Sequence, residues 1–300
     1  MVVVTFMVFG LVLLIPGDPA VRIAGQDATV EQIEAVRDRL GLDDPFLVQY
    51  ADWVAGAVQG DLGTSLFTSR PVAESISEAL PVTLALTLTA IVISLCISVP
   101  LAVLAGLRRG TWVDRLATLG SSVGIALPSF WVGLMFVLLF SVTLGWLPAT
   151  GYVPLSEDPV GWLRHIILPA TALGIAAAAE STRQLRGSVI EVLQQDYVRT
   201  ARAKGLKTRM VIGKHVLKNA SVPLVTIIGL QTTFLLGGAV VVESVFGLPG
   251  LGQVAITAVT TRNIPVVQGI VLVAVVVAML ANLLVDLSYG YLNPRVRLHD

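Results

Sequence analysis

The sequence predicts an all-α polytopic membrane protein with six transmembrane helices, and two observations lead to that prediction. Of the 300 residues, 55% are hydrophobic and only 13% are charged, whereas soluble domains carry about 25% charged residues. Five stretches contain no Asp, Glu, Lys or Arg: 1–17, 79–107, 116–156, 219–242 and 263–285. Because a hydrocarbon core about 30 Å thick needs roughly 20 helical residues, such stretches predict membrane-spanning helices. They exclude a soluble enzyme, a nucleic-acid-binding protein and a disordered chain.

The six predicted spans differ in length. They cover about 1–15, 82–107, part of 116–147, 165–182, 221–242 and 265–288. The first is short and has no flanking positive charge, so we expect the chain to begin late, inside that span. Pro128 and Pro169 fall within the third and fourth spans, where a proline can kink a helix that neighbouring helices support.

The basic residues predict the orientation of the spans. Loops that alternate along the chain hold 14 of the 20 Lys and Arg residues on one side and 6 on the other. The positive-inside rule places the richer loops, and both termini, in the cytoplasm. The predicted domains are a first span at 1–16, an extracytoplasmic helical subdomain at 17–80, a membrane domain at 81–290 that includes a cytoplasmic loop at 186–220, and a cytoplasmic tail at 291–300.

The external subdomain at 17–80 carries eleven of the twenty acidic residues and shows signals for helix starts. A Thr-x-x-Gln capping box begins at Thr29 and opens one helix. Asp44 and Pro45 supply an N-cap and a first-turn proline for a second helix. A third helix is expected from Pro71. Two or three short helices therefore form this subdomain.

No catalytic, metal-binding or nucleotide-binding pattern accompanies the spans. Residues 120–124 fit Gly-x-Ser-x-Gly, but that elbow needs a strand-to-helix turn. Here it lies in a predicted helix, where small residues let helices approach closely. Glu180 lies three residues from Arg183, which favours an interfacial ion pair over a proton relay. We therefore expect no catalytic residue, metal site or cofactor in this chain, and any ATP must be hydrolysed by another chain.

The most informative stretch is the basic loop between the fourth and fifth spans. Apolar residues recur at helical spacing over 188–203, Gly205 ends that helix, and a second helix is expected from Thr208 to Asn219. The prediction is a basic, amphipathic helix–glycine turn–helix on the cytoplasmic face. The pattern alone leaves two possibilities equally open: a loop that is solvated or bound to lipid headgroups, and a docking element for another protein.

The residues of this loop resemble a known family. Asp196-Tyr-Val-Arg-Thr-Ala-Arg-Ala-Lys-Gly-Leu206, followed by His215-Val-Leu-Lys-Asn219, is similar to the permease loop of binding-protein-dependent ABC importers. It resembles in particular the dipeptide/oligopeptide/nickel branch and its dipeptide-permease B type. Three further parts of the chain agree: 16–19, 49–65, and 243–252 with 262–265. The resemblance covers essentially the whole chain, although Asn263 stands where the branch more often has Asp.

This resemblance implies a type I ABC importer permease fold, with the transmembrane type-1 domain at 81–290, in the cytoplasmic (inner) membrane of a prokaryote. The implied function is import of di- or oligopeptides by alternating access. The implied partners are a second, C-type permease, two ATPase subunits that bind ATP and Mg, an extracytoplasmic peptide-binding protein, membrane lipid and the peptide itself. Two alternatives stay open: import of nickel, haem or another small solute, and an ATPase-independent carrier or channel.

Two sets of site residues are assigned. The ATPase-coupling loop comprises Tyr197, Arg199, Ala201, Arg202, Lys204, Gly205, Leu206, Lys207, Met210 and His215. Apolar contact with the ATPase is expected from Tyr197, Ala201, Met210 and Val211, and a cationic rim from Arg199, Arg202, Lys204 and Lys207. A translocation pathway between the two permeases is expected to be lined by Ser129, Gln231, Thr232 and Thr233. Hydrogen bonding between helices explains these four polar residues equally well.

Overall fold

The computed structural model describes residues 2–13, 19–24, 28–39, 41 and 43–292. Within these ranges the chain is helical, and the only β pairing is an isolated bridge between Thr64 and Pro71. The helices are α1 Val2–Leu13, α2 Pro19–Ala24, α3 Val30–Arg39, α4 Phe46–Val58, α5 Val72–Leu107, α6 Trp112–Ala126, α7 Ser129–Phe136, α8 Pro159–Leu193, α9 Asp196–Ala203, α10 Thr208–Met210, α11 Lys218–Phe246, α12 Leu251–Thr261 and α13 Ile264–Leu292. The predicted all-α class is confirmed.

Four of the described helices are long and apolar enough to cross a membrane. They are Val72–Leu107, Pro159–Leu193, Pro223–Phe246 and Ile264–Ser288, which correspond to the second, fourth, fifth and sixth predicted spans. The first predicted span is described only over the 12 residues of α1, and 14–16 lie outside the described residues. Most of the predicted tail, from 293 onward, also lies outside them.

The third predicted span is sharply bent at Pro128. Helix α6 and the helix Ser129–Thr143, whose last part is the π-helical segment Val137–Thr143, meet at 98°. Proline has no N–H and disfavours helical backbone at the residue before it. Leu127 accordingly takes an extended conformation, with ψ 124°. The predicted kink is confirmed, and the bend turns one expected span into a broken one.

Helix α5 joins two elements that the sequence suggested were separate. It runs unbroken for 36 residues, about 54 Å at 1.5 Å per residue, which exceeds a hydrocarbon core of about 30 Å. The helix expected from Pro71 is therefore the first part of the second span. Arg70 pairs with Glu74 at 2.9 Å and with Glu78 at 2.5 Å. These charges indicate a membrane boundary rather than the end of a helix.

The chain comprises two compact units, one formed by 1–81 and 253–277 and the other by 82–252 and 278–300. In the first unit, five aromatic side chains of α1 and α4 pack together: Phe6, Phe9, Phe46, Tyr50 and Trp53. The hydroxyl groups of Thr5 and Tyr50 lie 2.9 Å apart. An aromatic cluster therefore ties α1 to α4.

Local signals in the first unit are largely confirmed. The Thr29 N–H donates to Gln32 Oε1 at 3.0 Å, and the Gln32 N–H donates to Thr29 Oγ1 at 3.4 Å, so the capping box is present. The cap of α4 is Pro45 rather than Asp44. Asn263 also has a defined role, because its amide contacts Ser65 Oγ at 2.8 Å and accepts the Leu66 N–H at 3.2 Å.

The second unit holds two apolar clusters. One joins α5, α8 and α11 through Leu86, Ile166, Leu173 and Phe246 among others. Close helix approach at small residues supports this packing: a Cβ at Gly174 would lie 2.8 Å from the Ala90 carbonyl oxygen, and one at Gly124 would lie 2.8 Å from Ala179 Cβ. Gly124 closes the Gly-x-Ser-x-Gly sequence, which lies inside α6 as expected.

Candidate functional site

The turn at Gly205 closes α9 with a Schellman motif. Gly205 takes φ +76°, a left-handed conformation that glycine adopts without the cost of about 1–2 kcal/mol borne by other residues. Its N–H donates to the Arg202 carbonyl at 2.9 Å, and the Leu206 N–H donates to the Ala201 carbonyl at 3.3 Å. The prediction that Gly205 ends this helix is confirmed.

The inner face of this helix–turn–helix packs against the protein itself. Val198, Ala201 and Val211 are 0%, 6% and 1% exposed. They belong to one apolar cluster with Leu185 and Val189 of α8. The expectation that Ala201 and Val211 contact an ATPase directly is wrong, because both side chains are covered by their own chain. Their burial instead holds the turn in a fixed position beneath α8.

The outer face is open and cationic. Tyr197 and Met210 are 43% and 52% exposed, so two apolar groups remain available to a partner. The basic side chains around them are all exposed: Arg199, Arg202, Lys204 and Lys207. Within the described part of the chain, no atom beyond its immediate neighbours lies within 4 Å of the position that a Cβ of Gly205 would take. The turn therefore offers another protein close access to its backbone.

The helix after the turn begins at Thr208 as predicted, but it does not end at Asn219. Helix α10 passes into the π-helical segment Val211–Leu217 and then into α11. The end was predicted where the basic residues stop, after Lys218. The helix continues past this point. His215 lies half-buried in the π-helical segment, and its carbonyl accepts the Asn219 side-chain amide at 2.7 Å. The turn and a membrane-spanning helix are thus continuous.

An ion pair that sequence reasoning missed joins α6 to α8. Arg186 donates from Nε and Nη2 to the two carboxylate oxygens of Asp114, at 2.5 and 2.8 Å. The Gly110 N–H donates to the same carboxylate at 2.9 Å. Bidentate arginine–carboxylate pairs are strong and geometrically specific. Asp114 is the single acidic residue in the basic stretch 108–115. A lone acid among basic residues was the sequence feature from which this ion pair could have been suspected.

Two of the four predicted pathway residues line one pocket. Ser129 and Gln231 border a cavity of about 260 Å³. Gln231 also bridges two helices: its Nε2 donates to the Ala177 carbonyl at 2.8 Å, and Ser181 Oγ donates to its Oε1 at 3.3 Å. Pocket lining and hydrogen bonding between helices therefore occur at the same residue. The role of this pocket in a pathway stays a prediction.

The other two predicted pathway residues lie elsewhere. Thr232 Oγ1 donates to the Ile228 carbonyl of its own helix at 2.8 Å, and Thr233 is exposed. Neither lines the pocket of Ser129 and Gln231. Glu180, which the sequence suggested was ion-paired with Arg183, lines that pocket instead, and the described residues contain no ion pair between the two.

A second polar centre that sequence reasoning missed surrounds Glu243. This carboxylate is 0% exposed. Thr83 Oγ1 donates to its Oε1 at 2.6 Å, and the Gly252 N–H donates to its Oε2 at 2.7 Å. Thr83 Oγ1 in turn accepts the Leu251 N–H at 2.8 Å. The loop after α11 is therefore folded around a buried carboxylate. Among the described residues, no group of three or more His, Cys, Asp or Glu could hold a metal ion.

Two family models match the chain. The model described as the inner membrane component of binding-protein-dependent transport systems matches residues 98–298. Its N-terminal companion, described as the N-terminal part of the membrane component of such systems, matches residues 1–87. Together the two matches cover both the Gly205 turn and helices α1 to α4.

Curated relatives match over nearly the full chain. A protein of Brucella abortus (strain 2308) that carries the name of a peptide transport system permease protein is 42% identical over 297 residues, covering 99% of this chain and 95% of the relative. The glutathione transport system permease protein GsiC of Escherichia coli (strain K12) is 42% identical over 295 residues, covering 98% and 94%.

Solved structures show the same fold at lower identity. An inward-facing structure of the MetNI methionine ABC transporter aligns with a TM-score of 0.59 at 17% identity, covering 73% of this chain and 96% of that one. A crystal structure of an amino acid ABC transporter with histidines aligns with a TM-score of 0.54 at 19% identity, covering 73% and 94%. The expected type I ABC importer permease fold is confirmed.

Proposed function

This chain belongs to the family of inner membrane components of binding-protein-dependent transport systems, and on that premise we propose that it imports di- or oligopeptides. As a permease subunit of an ABC importer it carries out no bond-breaking chemistry itself. The observation that carries the peptide assignment is the 42% identity, over almost the whole chain, to relatives named for peptide and glutathione transport. Glutathione is itself a tripeptide, so both names indicate one chemical class of substrate.

The proposed complex contains a second, C-type permease, two ATPase subunits that bind ATP and Mg, and an extracytoplasmic peptide-binding protein. The open, cationic outer face of the Gly205 turn is the proposed ATPase-docking surface. Because α10 and α11 form a continuous path with the π-helical segment between them, a displacement of the turn would move a membrane-spanning helix. ATP-dependent closure of the ATPase pair would thereby drive alternating access.

The proposed topology places both termini and the loop 186–220 in the cytoplasm, and residues 17–80 outside. The asymmetry of 14 against 6 basic residues supports this orientation by the positive-inside rule. The Gly205 turn would then face the ATP-containing compartment, and the acidic external helices would face the binding protein. The domain boundaries at 16, 80 and 290 follow the same scheme.

The experiment that tests this function is reconstitution of the whole complex. The complex is purified through a tag on this chain and placed in proteoliposomes with ATP inside and the binding protein outside, and uptake of radiolabelled trialanine and glutathione is measured. We expect uptake that requires both hydrolysable ATP and the binding protein. Uptake without ATP, or a chain that purifies without ATPase subunits, would indicate a carrier or channel instead.

A further inference from the structure

The pocket that Ser129 and Gln231 share holds a charged group that ATPase coupling does not explain. Glu180 lies on α8, one of the helices apolar enough to cross a membrane. A carboxylate at such a position is costly unless it meets a partner or serves a function. Among the described residues, no ion pair to Glu180 occurs, and Arg183, one turn further on, forms none with it.

The rest of the pocket indicates which ligand group the carboxylate suits. Of the described residues that line it, none is Lys, Arg or His, so the only formal charge is negative. Ser129 adds a hydroxyl oxygen that accepts hydrogen bonds, while the Gln231 amide is already bonded to Ala177 and Ser181. Phe234 is the one aromatic residue among the described residues that line the pocket. A carboxylate and a neutral oxygen acceptor, with no basic side chain beside them, favour an ammonium group and disfavour an anion.

We propose that Glu180 receives the terminal ammonium group of the substrate as the substrate passes through this pocket. The inference rests on the proposed function, and it names the residue that selects a substrate with a free amino terminus. A volume of about 260 Å³ lies below the roughly 300–1,000 Å³ typical of sites that enclose a whole small molecule. The pocket therefore holds one end of a peptide and leaves the remainder of the chain outside it.

The position of Gln231 supports a fixed rather than an adaptable site. Its side chain is pinned to α8 by the bonds to Ala177 and Ser181, and Ser181 is the residue next to Glu180. These bonds hold α8, which carries Glu180, in a fixed position relative to α11, which carries Phe234. A substrate released by a binding protein would meet a preformed acceptor, which reduces the ordering cost of binding.

The test compares charge removal at two acidic residues of membrane-spanning helices. Glu180→Gln removes the pocket charge at nearly constant volume, Glu180→Asp retains it, and Asp286→Asn removes an exposed charge from α13, away from the pocket. Each variant is assembled in the whole complex, and maximal uptake of trialanine and of N-acetyl-trialanine is measured together with subunit retention and peptide-independent ATPase activity.

We expect Glu180→Gln to lower maximal trialanine uptake about tenfold, the size expected for loss of about 1.4 kcal/mol, and to reduce the ratio of trialanine to N-acetyl-trialanine uptake. Glu180→Asp should retain at least half of the uptake, and Asp286→Asn should change it less than twofold. An unchanged ratio in Glu180→Gln, or loss of the second permease from that complex, would overturn the inference. Wild-type complex that takes up neither peptide would overturn the proposed function and this inference with it.

Discussion

Two glycine turns close helices in the second unit, and they differ in what surrounds them. Gly205, with φ +76°, ends α9, and Gly247, with φ +62°, ends α11. A Cβ at Gly205 would meet open space, whereas a Cβ at Gly247 would lie 3.6 Å from Thr150 Cβ. After Gly205 the chain is exposed or half-buried, whereas after Gly247, over 248–251, only Pro249 is exposed and Leu248, Gly250 and Leu251 are buried. The same backbone conformation thus produces an open turn and a sealed one.

Under the proposed function, the difference separates a turn that would bind a partner from a turn that supports its own fold. The sealed turn satisfies its N–H groups internally, through Glu243 and Thr83. The hydrogen bonds of the open turn close α9 and begin α10, and the cationic rim is exposed. The inner apolar cluster of the open turn packs against α8. Under the proposed function its outer face would bind the ATPase, whereas the sealed turn contributes stability.

The largest expected effect is loss of transport in Gly205→Trp or Gly205→Glu. A non-glycine residue at this φ costs about 1–2 kcal/mol, which the fold tolerates because no described side chain obstructs the new one. The added side chain would occupy the opening that an ATPase needs. We expect an inserted permease with background uptake and with lost ATPase binding or lost coupling, measured as subunit retention, ATPase rate and peptide uptake.

Gly110→Trp is the matched control for this substitution. Gly110 also has a positive φ, +81°, also meets no described atom within 4 Å of a Cβ, and lies in the other basic loop. The backbone strain is therefore the same and the location differs. We expect Gly110→Trp to retain at least half of the uptake. Equal losses in the two variants would mean that strain, not docking, explains the defect.

A smaller effect, on stability, is expected for Gly252→Ala in the sealed turn. A Cβ there would collide with the Val240 backbone and lie 2.8 Å from Glu243 Oε2. Overpacking of this kind costs about 1–3 kcal/mol, so the midpoint of thermal unfolding of the detergent-solubilised protein should fall by several degrees. Gly237→Ala, in the preceding helix α11, meets no described atom within 4 Å and should leave the midpoint unchanged or slightly higher. A Gly252→Ala protein as stable as Gly237→Ala would contradict the sealed-turn description.

The smallest effect is expected for single changes in the cationic rim. Lys207 is exposed, and its side chain makes no cap hydrogen bond to α10. Exposed ion pairs contribute about 0–1 kcal/mol and are screened by salt. We expect Lys207→Ala to change uptake less than about twofold, with the difference disappearing as ionic strength is raised. A tenfold loss would show that the rim, and not the glycine opening, dominates docking.

The features that sequence predicted correctly are local ones. Gly205 ends a helix, the capping box at Thr29 opens one, and Pro128 bends one, because each depends on backbone preferences within a few residues. The helix start predicted at Pro71 is also confirmed, because α5 begins at Val72, but this helix continues without a break into the second span. The helix end predicted at Asn219 is wrong, because α11 begins at Lys218 and continues to Phe246. A helix continues across a change in charge as long as its backbone hydrogen bonds do.

The features that sequence could not provide depend on tertiary packing. Glu243 and Thr83 are 160 residues apart, and Arg186 and Asp114 are 72 apart, so no local pattern pairs them. The apolar face of α9 was visible as a periodicity. The apolar periodicity of α9 could not show what buries the face that carries Ala201. Burial against α8 and burial against another subunit require the same sequence pattern.

The most direct test of the open-turn account is cysteine crosslinking from its outer face. Cys96 is the only cysteine in the chain, so a Cys96→Ala background allows single cysteines to be placed by Met210→Cys and, as a control on the other basic loop, Gly110→Cys. The intact complex is treated with a short bismaleimide, and crosslinks to the ATPase are quantified. We expect a crosslink at Met210→Cys that is several-fold stronger than at Gly110→Cys and that changes with ATP. Equal yields, or no ATPase crosslink at Met210→Cys in a complex that still transports, would contradict it.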